Sequence, residues 1–480
     1  MKRSIILTCL SLLIYSNAFS QSNVWTLEKC FSYAKENNIQ LKQTQINTEL
    51  SELDLEQSKS NRLPFVSGVF NQRLNFGRSI DPTTNQFRSQ TLPTTFIGLN
   101  TGVDVFRGFN LKNSIKRSEL SLKDAKFQEN IQENNLGLSI VSAYLEILRS
   151  KDQLNVLNEQ LSITQQQKSR IEKLINAGVL PKGDILNIES QIANEQLGIV
   201  NAENALSFAK LNLMQILEYY EEEIDVAIPE IEVPSPEELA NYDVEKIYTL
   251  SLKNLPEIKS AELQKDIAET DVELAKGQQY PTVTLAGGAS SNYAGIKLPT
   301  EYEEVNLPIG VAVNGEQQFP VFPIVPFNVP VEGGKTKAIP FGTQINENFS
   351  YNIGVNVSVP IFNRNQIKNG IKRSEIAMKN AELTQKIAQN TLYQTIQQAY
   401  QVARAASKAY ETNKKNIISL EQSLANIEKR YDLGLSTALE YATARNNLAV
   451  AKLNLNSAKY EYMFRLKILD FYAGKSLNLK

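Results

Sequence analysis

Two periods alternate along this chain. From Ile417 through Leu420, Leu424 and Ile427 to Tyr431, apolar side chains recur at steps of three and four, the spacing of a helix that packs along one seam. The stretch Ile185, Ile188, Ile192, Glu195, Ile199, Ala202, Leu206, Ala209, Leu213, Ile216 keeps those steps with one acidic interruption. So does Tyr441, Ala444, Leu448, Ala451, Leu455, Ala458, Tyr462, Arg465, Leu469, whose alanines let helices approach closely. No proline falls between Thr94 and Leu180 or between Ile361 and Lys480, so nothing interrupts helices of about 65 residues, roughly 100 Å long. Such heptads fit a coiled-coil spacer as well as a conduit. The abundance of Gln, Asn, Ser and Lys off the seam suits helices wetted on a broad face.

Between the helices the period falls to two, the mark of strands with unlike faces. Phe349, Tyr351, Ile353, Val355, Val357, Val359 and Ile361 alternate with Asn348, Ser350, Asn352, Gly354, Asn356, Ser358 and Pro360. Ile97, Leu99, Thr101, Val103 and Val105 alternate with Phe96, Gly98, Asn100, Gly102 and Asp104. Shorter alternating runs, Val66 to Phe76 and Val283 to Tyr293, precede them, so two hairpins of about ten-residue strands are expected, long enough for a tilted membrane crossing. Alternation alone fits a soluble sandwich equally. In a bilayer the strand edges must close, and bacterial barrels begin at about eight strands. Four strands per chain therefore require self-association, and three copies would supply twelve. On this reading Ile97, Leu99, Val103, Val105, Phe349, Tyr351, Ile353, Val355, Val357 and Val359 face lipid.

The chain is also written twice. A shift of 217 residues carries Leu27-Glu28-Lys29 onto Val244-Glu245-Lys246 and Pro64 onto Pro281. A shift of 256 carries Ile115-Lys116-Arg117-Ser118-Glu119-Leu120 onto Ile371-Lys372-Arg373-Ser374-Glu375-Ile376, Ala143-Tyr144 onto Ala399-Tyr400, and Gly178 onto Gly434, without a gap. The whole difference falls between Pro281 and Val359, which places one insertion in one loop, about 294–347, with the run Phe319-Pro320-Val321-Phe322-Pro323. Two copies this long are no solenoid. The expected divisions are a leader at 1–20, first-repeat N-terminal helices at 21–64, a first β-hairpin at 65–106 and a first long helical hairpin at 107–220. An acidic, proline-bearing connector follows at 221–243, then second-repeat helices at 244–280, a second β-hairpin with a long exterior loop at 281–362, a second long helical hairpin at 363–472 and a tail at 473–480.

Met1-Lys2-Arg3, the apolar run Ile5 to Tyr15 and Asn17-Ala18-Phe19-Ser20 have the form of a secretory leader cleaved after Ser20, too short for a membrane anchor. Cys9 lies too close to the start for a lipidation site. Cys30 is then the only thiol left, excluding an intramolecular disulfide, and its apolar neighbours predict a packed side chain. The sequence has no histidine, which removes the usual general base, zinc ligand and Ser-His nucleophile arrangement. No phosphate-binding glycine loop and no metal-ligand spacing occur, so neither an enzyme nor a cofactor is expected. A charged content of 21% with a net charge of −2 offers no basic stripe for nucleic acid.

The leader, the duplicated helix-strand-strand-helix-helix order and the paired glycine turns together resemble the TolC-like outer-membrane efflux family over the whole mature chain. Trp25-Thr26-Leu27-Glu28-Lys29-Cys30 followed by Ala34-Lys35-Glu36-Asn37-Asn38 looks like that family's first helix. Asn176-Ala177-Gly178-Val179-Leu180-Pro181-Lys182-Gly183-Asp184-Ile185-Leu186 and Tyr431-Asp432-Leu433-Gly434-Leu435-Ser436-Thr437-Ala438-Leu439-Glu440-Tyr441 resemble its tunnel tips. Physically, each glycine can take positive φ to end one helix, and Asp184 and Glu440 suit the first turn of the next.

The resemblance implies a mixed α/β membrane protein: a long antiparallel α-helical coiled-coil barrel with four transmembrane strands per chain, closing as a twelve-stranded barrel in a homotrimer in outer-membrane lipid. It implies tips at Gly178, Val179, Leu180, Asp184, Gly434, Leu435 and Glu440 that meet a periplasmic adaptor, and through it an inner-membrane pump of RND or ABC type. Family members narrow the tunnel with acidic side chains, which makes Asp432 and Glu440 the candidates here, although helix-end charges also occur for dipole reasons alone. The expected function is passive conduction to the exterior in efflux or type I secretion. The alternative is a periplasmic coiled-coil interaction protein without a pore.

Overall fold

A computed structural model describes residues 24–80, 87–89, 91–178, 181–229, 233–235, 239–295, 297–307, 325–331 and 334–475. The leader with Cys9, Val179 and Leu180, the 319–323 run and the last five residues lie outside the described residues. After β1 (Val24–Trp25), the first copy runs α1 (Leu27–Asn37), α2 (Ile39–Ser60), β2 (Phe65–Asn75), the short β3 (Arg78–Ile80) and β4 (Phe87–Ser89), β5 (Leu92–Arg107), α3 (Asn110–Asn176) and α4 (Asp184–Leu217). The connector carries β6 (Asp225–Val226). The second copy repeats the order with α5 (Val244–Asn254), α6 (Pro256–Gly277) and β7 (Thr282–Ala294). Its loop holds β8 (Lys297–Pro299), β9 (Tyr302–Leu307), β10 (Val325–Pro330), β11 (Thr336–Ala338) and α7 (Phe341–Glu347), before β12 (Ser350–Ser358), α8 (Gln366–Asp432) and α9 (Ala438–Tyr472). Both α3 and α8 have 67 residues, about 100 Å at 1.5 Å per residue.

The same joint is made by two chemistries. Asn38 is extended between α1 and α2; its side chain accepts from Leu41 N (3.0 Å) and donates to Ile216 O (3.2 Å). At the repeat-related joint, extended Leu255 is followed by Pro256, which fixes φ and needs no donor at the first helical position.

The chain divides into two compact units. The unit comprising 1–55, 116–271 and 373–480 carries the main apolar cores. In the largest, Cys30, Ala34, Leu41, Ile140, Ile147, Leu213 and Leu217 are sealed from water. Burial pushes the Cys30 thiol up to about 12, so it stays protonated and packed. Tyr144 stands at the centre of this core and donates to Trp25 O (3.1 Å) and Ala227 O (2.7 Å). It thereby ties the parallel pair β1 and β6 to α3.

The unit comprising 56–115 and 272–372 contains an antiparallel sheet in the order β12-β7-β5-β2. The two hairpins join through β5 and β7, one strand from each copy, which leaves β2 and β12 as the edges. A bulge at Val105 shifts the β5 register, so Asp104 opposes Thr284 but Phe106 opposes Val283. Phe106 therefore lies on the face opposite Asp104, contrary to simple alternation. The inserted loop folds onto β7 through Gln344, buried in α7, whose amide accepts from Ala294 N (3.0 Å) and donates to Ala294 O (2.8 Å).

Candidate functional site

The sheet register gathers the alternating positions into two unlike faces, because directly opposed residues in antiparallel strands point the same way. One cross-strand row is Gly68, Leu99, Ala289, Tyr351; the next is Val66, Thr101, Gly287, Ile353; the third is Val103, Leu285, Val355. Ile97 lies opposite Phe70, and Val357 opposite Val283. The other face carries Ser67, Asn100, Gly288, Asn352 and, farther along, Asp104, Thr284, Asn356. There Thr284 Oγ1 donates to Asp104 Oδ1 (2.9 Å). Apolar side chains on the first face stand open, with Tyr351 81% and Ile353 78% exposed. Phe349 and Val359 flank β12, and Val105 is the bulge residue; all three are exposed.

The second helix-hairpin tip is the more fully built. Gly434 takes φ +70°, its N–H bonds to Tyr431 O (3.0 Å), and Leu435 N bonds to Arg430 O (2.8 Å). This crossed pair satisfies the last carbonyls of α8. Thr437 then caps α9: its hydroxyl accepts from Glu440 N (3.2 Å), while the Glu440 carboxylate accepts from Ser436 Oγ and from Thr437 N (2.9 Å), a reciprocal box. Tyr431 and Tyr441 stack at 5.1 Å across the turn. Leu433, Leu435 and Leu439 project into solvent.

At the first tip Gly178 takes φ +77°, and Asp184 opens α4 after Gly183, which makes no side-chain cap bond. Of the two candidate acidic groups, Asp432 pairs with Arg170 at 2.7 Å, and Glu440 is absorbed in its own cap. Both ends of the Arg170 pair are about half exposed, so it is worth roughly 0–1 kcal/mol.

Hydrogen bonds from Ser436, then Thr437, hold the Glu440 carboxyl below its usual range. A depressed carboxyl contributes its stabilisation above the ordinary glutamate value and loses it as pH falls through the lower folded value. Amide exchange at the start of α9, corrected for its intrinsic pH dependence, is therefore expected to begin quickening as pH falls through the ordinary glutamate range and to level off below the lowered folded value. Thr437→Val, which deletes the hydroxyl, should quicken the same amides at neutral pH by removing about 1 kcal/mol of capping. Hydrogen-exchange mass spectrometry of the 437–445 segment reads both.

A buried polar cluster, not foreseen from the sequence, lies farther up the hairpins. Arg445 of α9 is 3% exposed and donates to Gln167 Oε1 (3.0 Å), Thr164 Oγ1 (3.1 Å) and Gln160 O (3.2 Å) on α3. Glu195 of α4 accepts from Thr164 Oγ1 (2.9 Å), Gln191 Nε2 (3.0 Å) and Gln160 Nε2 (3.2 Å), and its second oxygen is buried without a partner. Burial pulls the Arg445 pKa below the ordinary arginine value. The one legible signal was Glu195 itself, the acidic break in the α4 apolar row. Among the described residues no helix is long and apolar enough to cross a bilayer, and no group of three or more metal-ligating side chains occurs.

Residues 31–218 and 247–475 match the family model of the outer membrane efflux protein. The chain is 22% identical over 360 residues to outer membrane protein TolC of Escherichia coli, covering 73% of this chain and 63% of that protein, short of two-thirds of its length. It is 21% identical to TolC of Vibrio cholerae over 445 residues, 92% of this chain and 89% of that one. Among solved structures, VceC of Vibrio cholerae superposes with a TM-score of 0.70 at 14% identity, covering 94% of this chain and 97% of that one. The open-state MtrE channel of Neisseria gonorrhoeae gives 0.70 at 14% identity, covering 95% and 90%. With the family model spanning both halves of the duplicated sequence, the chain belongs to the outer membrane efflux protein family.

Proposed function

We propose that this chain is the exit duct of a tripartite efflux or type I secretion system, conducting substrate passively from a periplasmic adaptor and an inner-membrane pump of RND or ABC type to the exterior. The observation that carries the reading is the four-stranded sheet with an open apolar face and two unpaired edges. In hydrocarbon an unpaired strand edge costs several kcal/mol per orphaned group, so the sheet is complete only when β12 of one copy meets β2 of the next. Because the sheet has four alternating strands, that junction is antiparallel, and three copies give twelve strands around a polar lumen bearing Asn100, Asn352 and Asp104.

The apolar positions Ile97, Leu99, Val103, Val105, Phe349, Tyr351, Ile353, Val355, Val357 and Val359 then contact lipid. The tips at Gly178, Val179, Leu180, Asp184, Gly434, Leu435 and Glu440 receive the adaptor, for which the exposed leucines of the second tip offer an apolar footing. The leader is removed after Ser20 during export, and the chain itself performs no chemistry. Extraction of the protein from isolated outer membranes in mild detergent is expected to yield a particle of three chains that forms pores in planar bilayers. A water-soluble monomer or dimer absent from outer membranes would instead establish the poreless coiled-coil protein.

A further inference from the structure

The sheet face that carries Asn100, Asn352 and Asp104 holds two side chains out of keeping with it. Phe65 of β2 lies opposite Gly102 of β5, and Phe96 shares the parity of Gly98, Asn100 and Gly102, so both rings stand on the polar face. Phe65 is 62% exposed and Phe96 42%, and among the described residues no other large apolar side chain is exposed on that face of the sheet. Val69 is half-buried there, and Leu92 is buried with Ala294 and Leu298.

Each ring leans along the wall. A methyl group at Gly102 would sit 2.9 Å from Phe65 Cε1 and 3.3 Å from its Cζ, and one at Gly98 would sit 3.1 and 3.3 Å from the same atoms of Phe96. The far end of each ring thus rests over a glycine, a close approach that a side chain at either position would obstruct. Both glycines are buried although the face around them is open. Two apolar plates result, over glycines four residues apart on β5, about 13 Å along the strand. Between them runs the polar row of Ser67, Asn100 and Asn352.

Charge does not set the choice of ligand at these plates. Asp104, next after Gly102 on the same face, accepts from Thr284 Oγ1 (2.9 Å) and meets Arg107 at 3.5 Å. What the plates offer is the quadrupolar surface of an aromatic ring, edged by amides and hydroxyls. We infer that Phe65 and Phe96 are cargo contacts inside the barrel, favouring planar aromatic molecules over saturated ones of the same charge and similar size. The inference rests on the channel reading above and names the class of cargo that the duct retains. Conduction needs contacts favourable enough to enter and weak enough to leave. An aromatic pair, worth about two- to tenfold in affinity, is of that size, and three chains repeat each plate three times around the lumen.

The test uses the full-length trimer solubilised from outer membranes, with benzyltrimethylammonium and (cyclohexylmethyl)trimethylammonium as probes that carry the same cation on an aromatic and a saturated ring. Saturation-transfer NMR titrations should give the aromatic probe an affinity about two- to tenfold higher. Phe65→Leu together with Phe96→Leu, which keeps an apolar cover on both glycines, should erase that preference, each leucine alone removing part of it. Phe65→Tyr with Phe96→Tyr should keep it. Phe70→Leu, on the opposite face of β2, should leave it as in the wild type. A trimer without the aromatic preference, or one whose preference survives both leucines or is lost equally with Phe70→Leu, overturns the inference and leaves the channel reading in place. A wild-type protein of monomeric mass removes the channel reading and this inference with it.

Discussion

Val355→Lys on β12 is expected to abolish recovery of the trimer from outer membranes, whereas Asn356→Lys, one residue along, leaves it assembled. Val355 opposes Leu285, which opposes Val103 on its other side, so the lysine would enter an apolar row. A lysine on the lipid face near the bilayer midplane costs about 2–4 kcal/mol, and the barrel carries it three times. Asn356 opposes Thr284, which opposes Asp104, so its lysine meets a polar row with a carboxylate in reach. Heat-dependent gel migration of the solubilised trimer separates the two variants. Equal behaviour would mean that the two sheet faces are assigned wrongly.

Arg445→Met is expected to produce the largest loss of stability among substitutions in the helical unit. The side chain volume is nearly kept, but the donors to Gln167, Thr164 and the Gln160 carbonyl vanish, and the Glu195 carboxylate loses the one cation of its buried cluster. Leaving buried acceptors and a carboxylate uncompensated costs about 3 kcal/mol or more. Adding Glu195→Gln should recover part of that loss, because the amide needs no cation, and the shortfall from additivity measures the coupling. Denaturant unfolding followed by helical circular dichroism is the readout. A single-variant loss below about 0.5 kcal/mol, the size of an ordinary surface change, would show that the cluster is incidental.

What the sequence made legible were its periodicities and its duplication. The steps of three and four set the half-turn at which Ile188, Ile199, Ala202, Ala209 and Leu213 bury, and steps of two set the sheet faces. Both are properties of an apolar pattern repeated over many residues, so single exceptions do not erase them. The cluster around Arg445 depends on three helices meeting at one level, which no periodicity encodes. The bulge at Val105 inserts one residue into a strand that still alternates normally on either side. The box of Ser436, Thr437 and Glu440 was half visible, as a threonine before an acidic first turn, and the Tyr144 bonds to two carbonyls were not visible at all. Backbone acceptors carry no residue identity, and so leave no trace in a sequence.

The outer edges of β2 and β12, strands of 11 and 9 residues, stay open in each chain, and this sets the order in which the molecule can be made. The cores around Ile140, Ala403 and Ile396 need no second chain, so helix packing can proceed at any dilution. Sheet closure cannot, since its rate depends on encounters between chains and rises with their concentration. Until those encounters occur, each chain carries two open strand edges and an apolar sheet face, a template for unspecific pairing. An excess of chains over available partners would therefore favour aggregates nucleated at the sheet rather than at the helices.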